Sequence, residues 1–226
     1  MTQRSKLPLG IQSFANLRQR GYVYVDKTAL LQKLIQEGEW YFLARPRRFG
    51  KSLTISTLEA MFAGRAELFR GLAAEAWVTA QSKRPFPVLR LDMSAFGEID
   101  SPQKLEKGLT YSLQSFADRY DVTLPKETHC DLLLPLLLQA VWQKHGQCVV
   151  LIDEYDNPLL SNLEDRHLLE KIRKQLRSFY MVIKSCPDYI RFLLITGISK
   201  FTKTGIFSAL NNLVDISMEE EFATLL

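Results

Sequence analysis

The chain has 226 residues, 46% apolar and 24% charged, and its 29 basic and 25 acidic side chains leave a formal net charge of +4. That length buries a substantial core, the composition is that of a globular rather than a disordered or fibrous chain, and so mild a surplus does not argue for nucleic acid. Three cysteines without a C-x-x-C spacing, three histidines without ligand spacing and no apolar run near the ~20 residues of a bilayer span weigh against a disulfide framework, a zinc site and a membrane protein, so a reducing, cytoplasmic setting is expected.

Residues 1–21 read as a polar, irregular lead-in anchored by Phe14 and Leu17. Residues 22–25 (Tyr-Val-Tyr-Val) form a short β-type segment running into Asp26. This aspartate is placed to cap a helix whose Leu30, Leu31, Leu34 and Ile35 share one face and which Gly38 ends. Its simplest role is capping that docks the helix beside the first strand.

That strand is the apolar run Trp40 to Ala44. It leads into Arg45-Pro-Arg-Arg-Phe-Gly-Lys-Ser52, and from Gly50 a helix opens with Ile55, Leu58, Met61 and Phe62 at helical spacing. Strand, Gly-Lys-Ser, helix is the setting of a phosphate-binding loop. Backbone N–H groups at the helix start point at an anion, the lysine adds a point charge, and the hydroxyl takes a place on Mg²⁺. The pattern G-x-x-x-x-G-K-[ST] wants glycine at position 45, where this chain has arginine; Pro46 then stiffens the turn by fixing its own φ. Arg45, Arg47, Arg48 and Lys51 concentrate positive charge in seven residues. Beside a Gly-Lys-Ser turn this reads as an anion pocket; a basic turn before an ordinary helix is the plainer alternative.

A broken helical stretch with Gly64 and Gly71 follows, then Pro85 and Pro87, then a second strand over 88–93 carrying Asp92. Ser101 and Pro102 start a helix with Leu105, Leu109, Leu113 and Phe116 on one face. The leucines from 132 onward, with Val141 and Trp142, make another that stops at Gly146. Residues 147–152 are a third strand, a continuous apolar run of the kind buried on both faces of a parallel sheet, ending in Asp153 and Glu154. Pro158 breaks the chain before an amphipathic helix carrying Leu168, Leu169, Ile172, Leu176, Phe179 and Ile183. A fourth strand over 190–195 runs into Thr196 and Gly197. Strands alternating with helices imply an α/β fold, a mostly parallel sheet of about five strands with helices on both faces, in one domain over 1–226.

At the carboxyl edge of such a sheet, where ligands bind, Asp153 can hold Mg²⁺ and Glu154 can orient or deprotonate an attacking water. Taken alone, Leu-Ile-Asp-Glu is a common strand ending; after a Gly-Lys-Ser helix it is much sharper. Thr196, at the same edge, is placed to sense a γ-phosphate, with a solvated glycine turn as the equal alternative. The Asp26 segment, besides capping, has a place near the nucleotide base as its lesser alternative. Residues 205–212, with two asparagines, read as a loop or short helix without assigned chemistry.

The chain resembles the AAA-ATPase-like proteins, mostly prokaryotic, through residues 24–28 (Tyr-Val-Asp-Lys-Thr), 45–52, 151–156 (Leu-Ile-Asp-Glu-Tyr-Asp), 196–201 and 206–213. Arg45 departs from the general loop pattern but not from this family's. The resemblance implies a P-loop NTPase three-layer α/β/α sandwich of the AAA, additional-strand and catalytic-glutamate type, with ATP and Mg²⁺ as cofactors. By that likeness Arg47, Arg48, Phe49, Gly50, Lys51, Ser52, Leu53 and Thr196 contact the nucleotide, Ser52 and Asp153 the metal, and Glu154 with Lys51 carries hydrolysis. Family members continue into a helical lid and a PD-(D/E)xK nuclease-like domain; no acidic-x-Lys triplet follows Pro187-Asp188, so the lid and nuclease part are expected to be absent. The alternatives are a nucleotide-dependent switch or interaction module with little turnover, coupled to a nuclease-like or nucleic-acid-associated partner, and a basic nucleic-acid-binding domain; a nucleic-acid or protein partner is compatible with either. No membrane association is expected, and an oligomer is compatible with the sequence.

Overall fold

A computed structural model describes residues 6–125, 129–198, 212–222 and 225. In chain order its helices and strands are α1 Phe14–Gln19, α2 Thr28–Glu37, β1 Trp40–Ala44, α3 Lys51–Phe62, α4 Glu75–Gln81, β2 Val88–Asp92, α5 Pro102–Arg119, α6 Cys130–His145, β3 Cys148–Asp153, α7 Asn157–Leu160, α8 Arg166–Lys184, β4 Ile190–Gly197 and β5 Val214–Asp215. The strands form one parallel five-stranded sheet in the order β2-β3-β4-β1-β5. This is the α/β fold expected from the sequence, consistent with a P-loop NTPase. The order puts β4 between the strand that feeds the Gly-Lys-Ser helix and the strand that ends in the acidic pair.

Alternation along the strands sorts side chains into two apolar layers, as the pleat requires. Trp40 and Phe42, Val150 and Ile152, and Leu193 and Ile195 face a core built with α5, α6 and α8. Tyr41, Leu43, Val149, Leu151, Phe192 and Leu194 face a second core built with α1, α2, α3 and α4. Both faces are covered, which is why β1 and β3 are buried at every residue. Each fully buried leucine or phenylalanine contributes ~1.5–3 kcal/mol, so these layers hold the loop-bearing edge rigid.

Three local expectations shift. Residues 22–25 are not a strand: Lys6 and Tyr22 form an isolated parallel bridge, extended by Val23 N–H donating to the Lys6 carbonyl at 2.9 Å. The pattern is right for an extended segment, and among the described residues it is the lead-in that pairs with it. Asp26 sits one residue before the N-cap position, held by Lys27; its Oδ1 accepts from Thr28 N–H at 2.8 Å and Oδ2 from Ala73 N–H at 2.8 Å. It thus ties the start of α2 to the segment before α4 rather than to β1. Pro158 does not break the chain but lies in the first turn of α7, where its missing N–H costs nothing. Residues 199–211, including most of the 205–212 stretch, lie outside the described residues.

Gly197, the last residue of β4, has no room for a side chain. A Cβ there would stand 2.4 Å from the Tyr155 ring and 2.9 Å from Asp156 Oδ1, and Tyr155 is itself fully buried. Gly197→Ala is expected to destabilise the fold by ~1–3 kcal/mol, the usual range for overpacking, read as a lowered urea midpoint. An unchanged midpoint would show that Tyr155 can move aside.

Candidate functional site

Parallel pairing sets Ala44 beside Gly197, Ile152 beside Ile195 and Asp92 beside Asp153, so β1, β4, β3 and β2 end along one edge. Everything that follows hangs from that edge. After Ala44 the chain is held by Arg45 N–H donating to the Gly197 carbonyl at 3.1 Å, and Ala44 N–H donates to Ser217 Oγ at 2.8 Å. Two residues then take left-handed backbone, Arg48 at φ 67° and Gly50 at φ 84°. Open space surrounds Gly50, so its conformation and not crowding favours glycine there. Gly50 caps α3, whose first internal bond runs from Thr54 N–H to the Gly50 carbonyl at 2.9 Å. The N–H groups of the first helical turn, Lys51, Ser52 and Leu53, have no partner within the helix and can receive an anion.

Lys51 is buried, with 6% of its surface exposed, and its Nζ donates to the carbonyls of Arg45 at 2.8 Å and Pro46 at 2.9 Å. The lysine therefore closes the loop on itself. Burial lowers its pKa from the ordinary lysine value; Asp153, Glu154 and Asp156 oppose the fall, and Arg47 adds to it.

On β3, Asp153 is 1% exposed, and its Oδ1 accepts from the Thr196 hydroxyl at 2.5 Å and from Glu154 N–H at 3.1 Å. Tyr155 N–H donates to the Thr196 carbonyl at 3.0 Å, and Ile198 N–H to Asp156 Oδ2 at 2.9 Å. The turn after β3 is thereby stitched to the end of β4. Within it Glu154 is left-handed at φ 50°, a conformation uncommon for residues other than glycine, asparagine and aspartate. Burial raises the Glu154 pKa, with Asp153 and Asp92 adding to the rise, while Lys51 and Arg47 oppose it.

A cavity of about 710 Å³ opens where the two turns meet, lined by Arg47, Arg48, Gly50, Lys51, Ser52, Leu53 and Glu154, with residues 8–12 of the lead-in as its other wall. A smaller cavity of about 310 Å³ adjoins it and shares Pro8, Gly50 and Leu53; its walls are chiefly apolar and include Val23, Tyr24, Val25 and Phe49. Of the residues expected to form a site, seven thus share one cavity and Phe49 lines the next. Asp153 is buried and does not line this cavity. The Thr196 hydroxyl is engaged with Asp153 at a fully buried position, so it acts on the carboxylate. The sequence reading missed residues 8–12 as a wall, because no periodicity in an irregular lead-in says where it will lie; residues 23–25 adjoin Asp26, whose lesser alternative is a place near a base. Among the described residues no group of three or more His, Cys, Asp or Glu side chains could hold a metal by itself, and no helix is long and apolar enough to cross a membrane.

Residues 8–207 match the family model described as Predicted AAA-ATPase. Over 224 residues the chain is 41% identical to a protein of Azotobacter chroococcum mcd 1 described as "Uncharacterized protein in vnfD 5'region". The alignment covers 98% of this chain and 43% of that relative, so the chain spans less than half of the relative's length. No solved structure matches.

Proposed function

The chain belongs to the predicted AAA-ATPase family, and from that premise we propose that it binds magnesium–ATP at the edge formed by β1, β3 and β4 and hydrolyses it. One observation carries the reading: the cationic cavity at Lys51 adjoins a chiefly apolar one, the two sharing Pro8, Gly50 and Leu53. A triphosphate needs the first and a purine the second. Among the described residues that line the apolar cavity there is no carboxylate or amide side chain to pair with the guanine edge, which favours adenine.

The residues present fit Mg²⁺, which needs few protein oxygens because phosphate and water supply the rest. Ser52 and Asp153 would hold it, and when bound it neutralises charge on the outer phosphates. The chain's own groups do the remainder. N–H groups at the start of α3 and the Lys51 ammonium bind the phosphates, Lys51 leaving the Arg45 and Pro46 carbonyls to do so. Glu154 accepts a proton from water as its oxygen bonds to the γ-phosphorus, and the bond to ADP oxygen breaks to release phosphate. Thr196 fixes the Asp153 carboxylate by donating to it.

Calorimetric titration with ATP and GTP, with and without Mg²⁺, tests the assignment. The expected result is Mg²⁺-dependent binding of ATP, tighter than GTP; no heat with either nucleotide would end the proposal. A second reading, a nucleotide-dependent switch with little turnover, is favoured by the engagement of the Thr196 hydroxyl with Asp153 rather than with the phosphate cavity. Phosphate release no faster than that of a Glu154→Gln variant would select it. Under either reading, a nucleic-acid or protein partner would sense the nucleotide state.

A further inference from the structure

We propose that Arg47 supplies, from inside the loop, the cation that stabilises charge developing on the transferred phosphoryl group. The inference rests on the ATPase reading above and adds a catalytic residue to it. Loose phosphoryl-transfer transition states spread charge over the outer oxygens, and an arginine placed there raises kcat by a factor of ~10³–10⁵.

Three arginines compete for this role, and the structure separates them. Arg45 does not line the phosphate cavity, whereas Arg47 and Arg48 do, together with Lys51, Ser52 and Glu154. Arg47 is among the charges that bear most on both Lys51 and Glu154; Arg48 is not. Arg47 thus shares one cavity wall with the group that would hold the phosphates and the group that would hold the water, and its charge reaches both. Lys51 is buried and tethered to two carbonyls, while Arg47 is exposed, and among the described residues no carboxylate pairs with it. A solvated guanidinium fork can follow charge as it moves toward the leaving oxygen. Exposure also screens it, so the effect should fall below the arginine-finger range.

The test compares Arg47→Ala, Arg47→Lys and Arg48→Ala with the unaltered protein. It measures kcat, KM and the affinities for ADP and for ADP with fluoroaluminate, a mimic of the transferring phosphoryl group. Arg47→Ala is expected to lower kcat by ~10²-fold, with ATP and ADP affinities changed only a few-fold. It should lose most of the extra affinity for the fluoroaluminate complex, and added guanidinium should restore part of the rate. Arg47→Lys should fall between, and Arg48→Ala should weaken binding without that selective loss. If Arg47→Ala weakened ATP and the fluoroaluminate complex equally while kcat at saturation held, Arg47 would be a ground-state phosphate contact and the inference would be wrong. Should turnover of the unaltered protein prove too slow to follow, the ratio of the two affinities decides by itself. Absence of nucleotide binding by the unaltered protein would instead overturn the ATPase reading and this inference with it.

Discussion

Alanine at position 51 is expected to weaken magnesium–ATP binding by roughly 30- to 1,000-fold, or ~2–4 kcal/mol, since hydrogen bonds to charged groups contribute ~1.5–3 kcal/mol each and an ammonium donates more than one. The upper end is held down by an exchange. Before nucleotide arrives, Lys51 already donates to the Arg45 and Pro46 carbonyls, and those bonds are given up as the phosphate contacts form. Burial also lowers the lysine's pKa, so its charge begins to fail at lower pH than the ~10.4 of a free lysine. ATP affinity should therefore decline on the alkaline side earlier than an ordinary lysine would dictate, and Lys51→Ala should lack that decline. Titration calorimetry across pH reads both effects. Equal affinities for the two proteins would remove the lysine, and with it the loop, from the binding site. The fold should survive, because the charged form is the one that burial disfavours.

Glutamine at position 154 should leave ATP affinity within a few-fold and lower phosphate release by ~10²–10⁴-fold, the range for loss of a positioned general base. Shape and burial are retained in this substitution; only the capacity to take a proton is lost. The raised pKa gives the accompanying pH profile its sign. Glu154 must be ionised to accept a proton, burial and Asp153 hold its pKa above the free-glutamate value of ~4.3, and the rate should fall with decreasing pH through that raised value. Arg47→Ala removes a charge that opposes the rise, so its acid limb should move to higher pH. A Glu154→Gln protein releasing phosphate at the original rate would assign the water to some other group.

Much of this edge could be read from residue order because its signals are local. A five-residue apolar run before Gly50-Lys51-Ser52, and another before Asp153-Glu154, carry both type and position of the elements, and parallel pairing brings their ends together. β5 left no such trace: Val214 and Asp215 are both exposed, and their pairing with Tyr41 and Phe42 comes from the edge of β1, not from any pattern of their own. The apolar cavity was equally silent. Its walls come from residues 7–8, 23–25, α1, α2, α3 and the loop, and the lead-in joins them through contacts distant in sequence, Val23 to Lys6 and Phe14 to Ser56 among them. Thr196 was placed at the right edge, but whether its hydroxyl faces the cavity or Asp153 depends on a register between β3 and β4 that sequence does not print.

The left-handed turn at Glu154 has an evolutionary consequence. A residue with a β-carbon pays ~1–2 kcal/mol to sit there, which glycine escapes and asparagine reduces. Under selection for folding alone, random substitution would drain glutamate from this position toward those two residues. Homologues that keep an acid here across divergent lineages would be recording a pressure that runs against their own stability, and lineages that let it drift to glycine should be the ones that have given up hydrolysis.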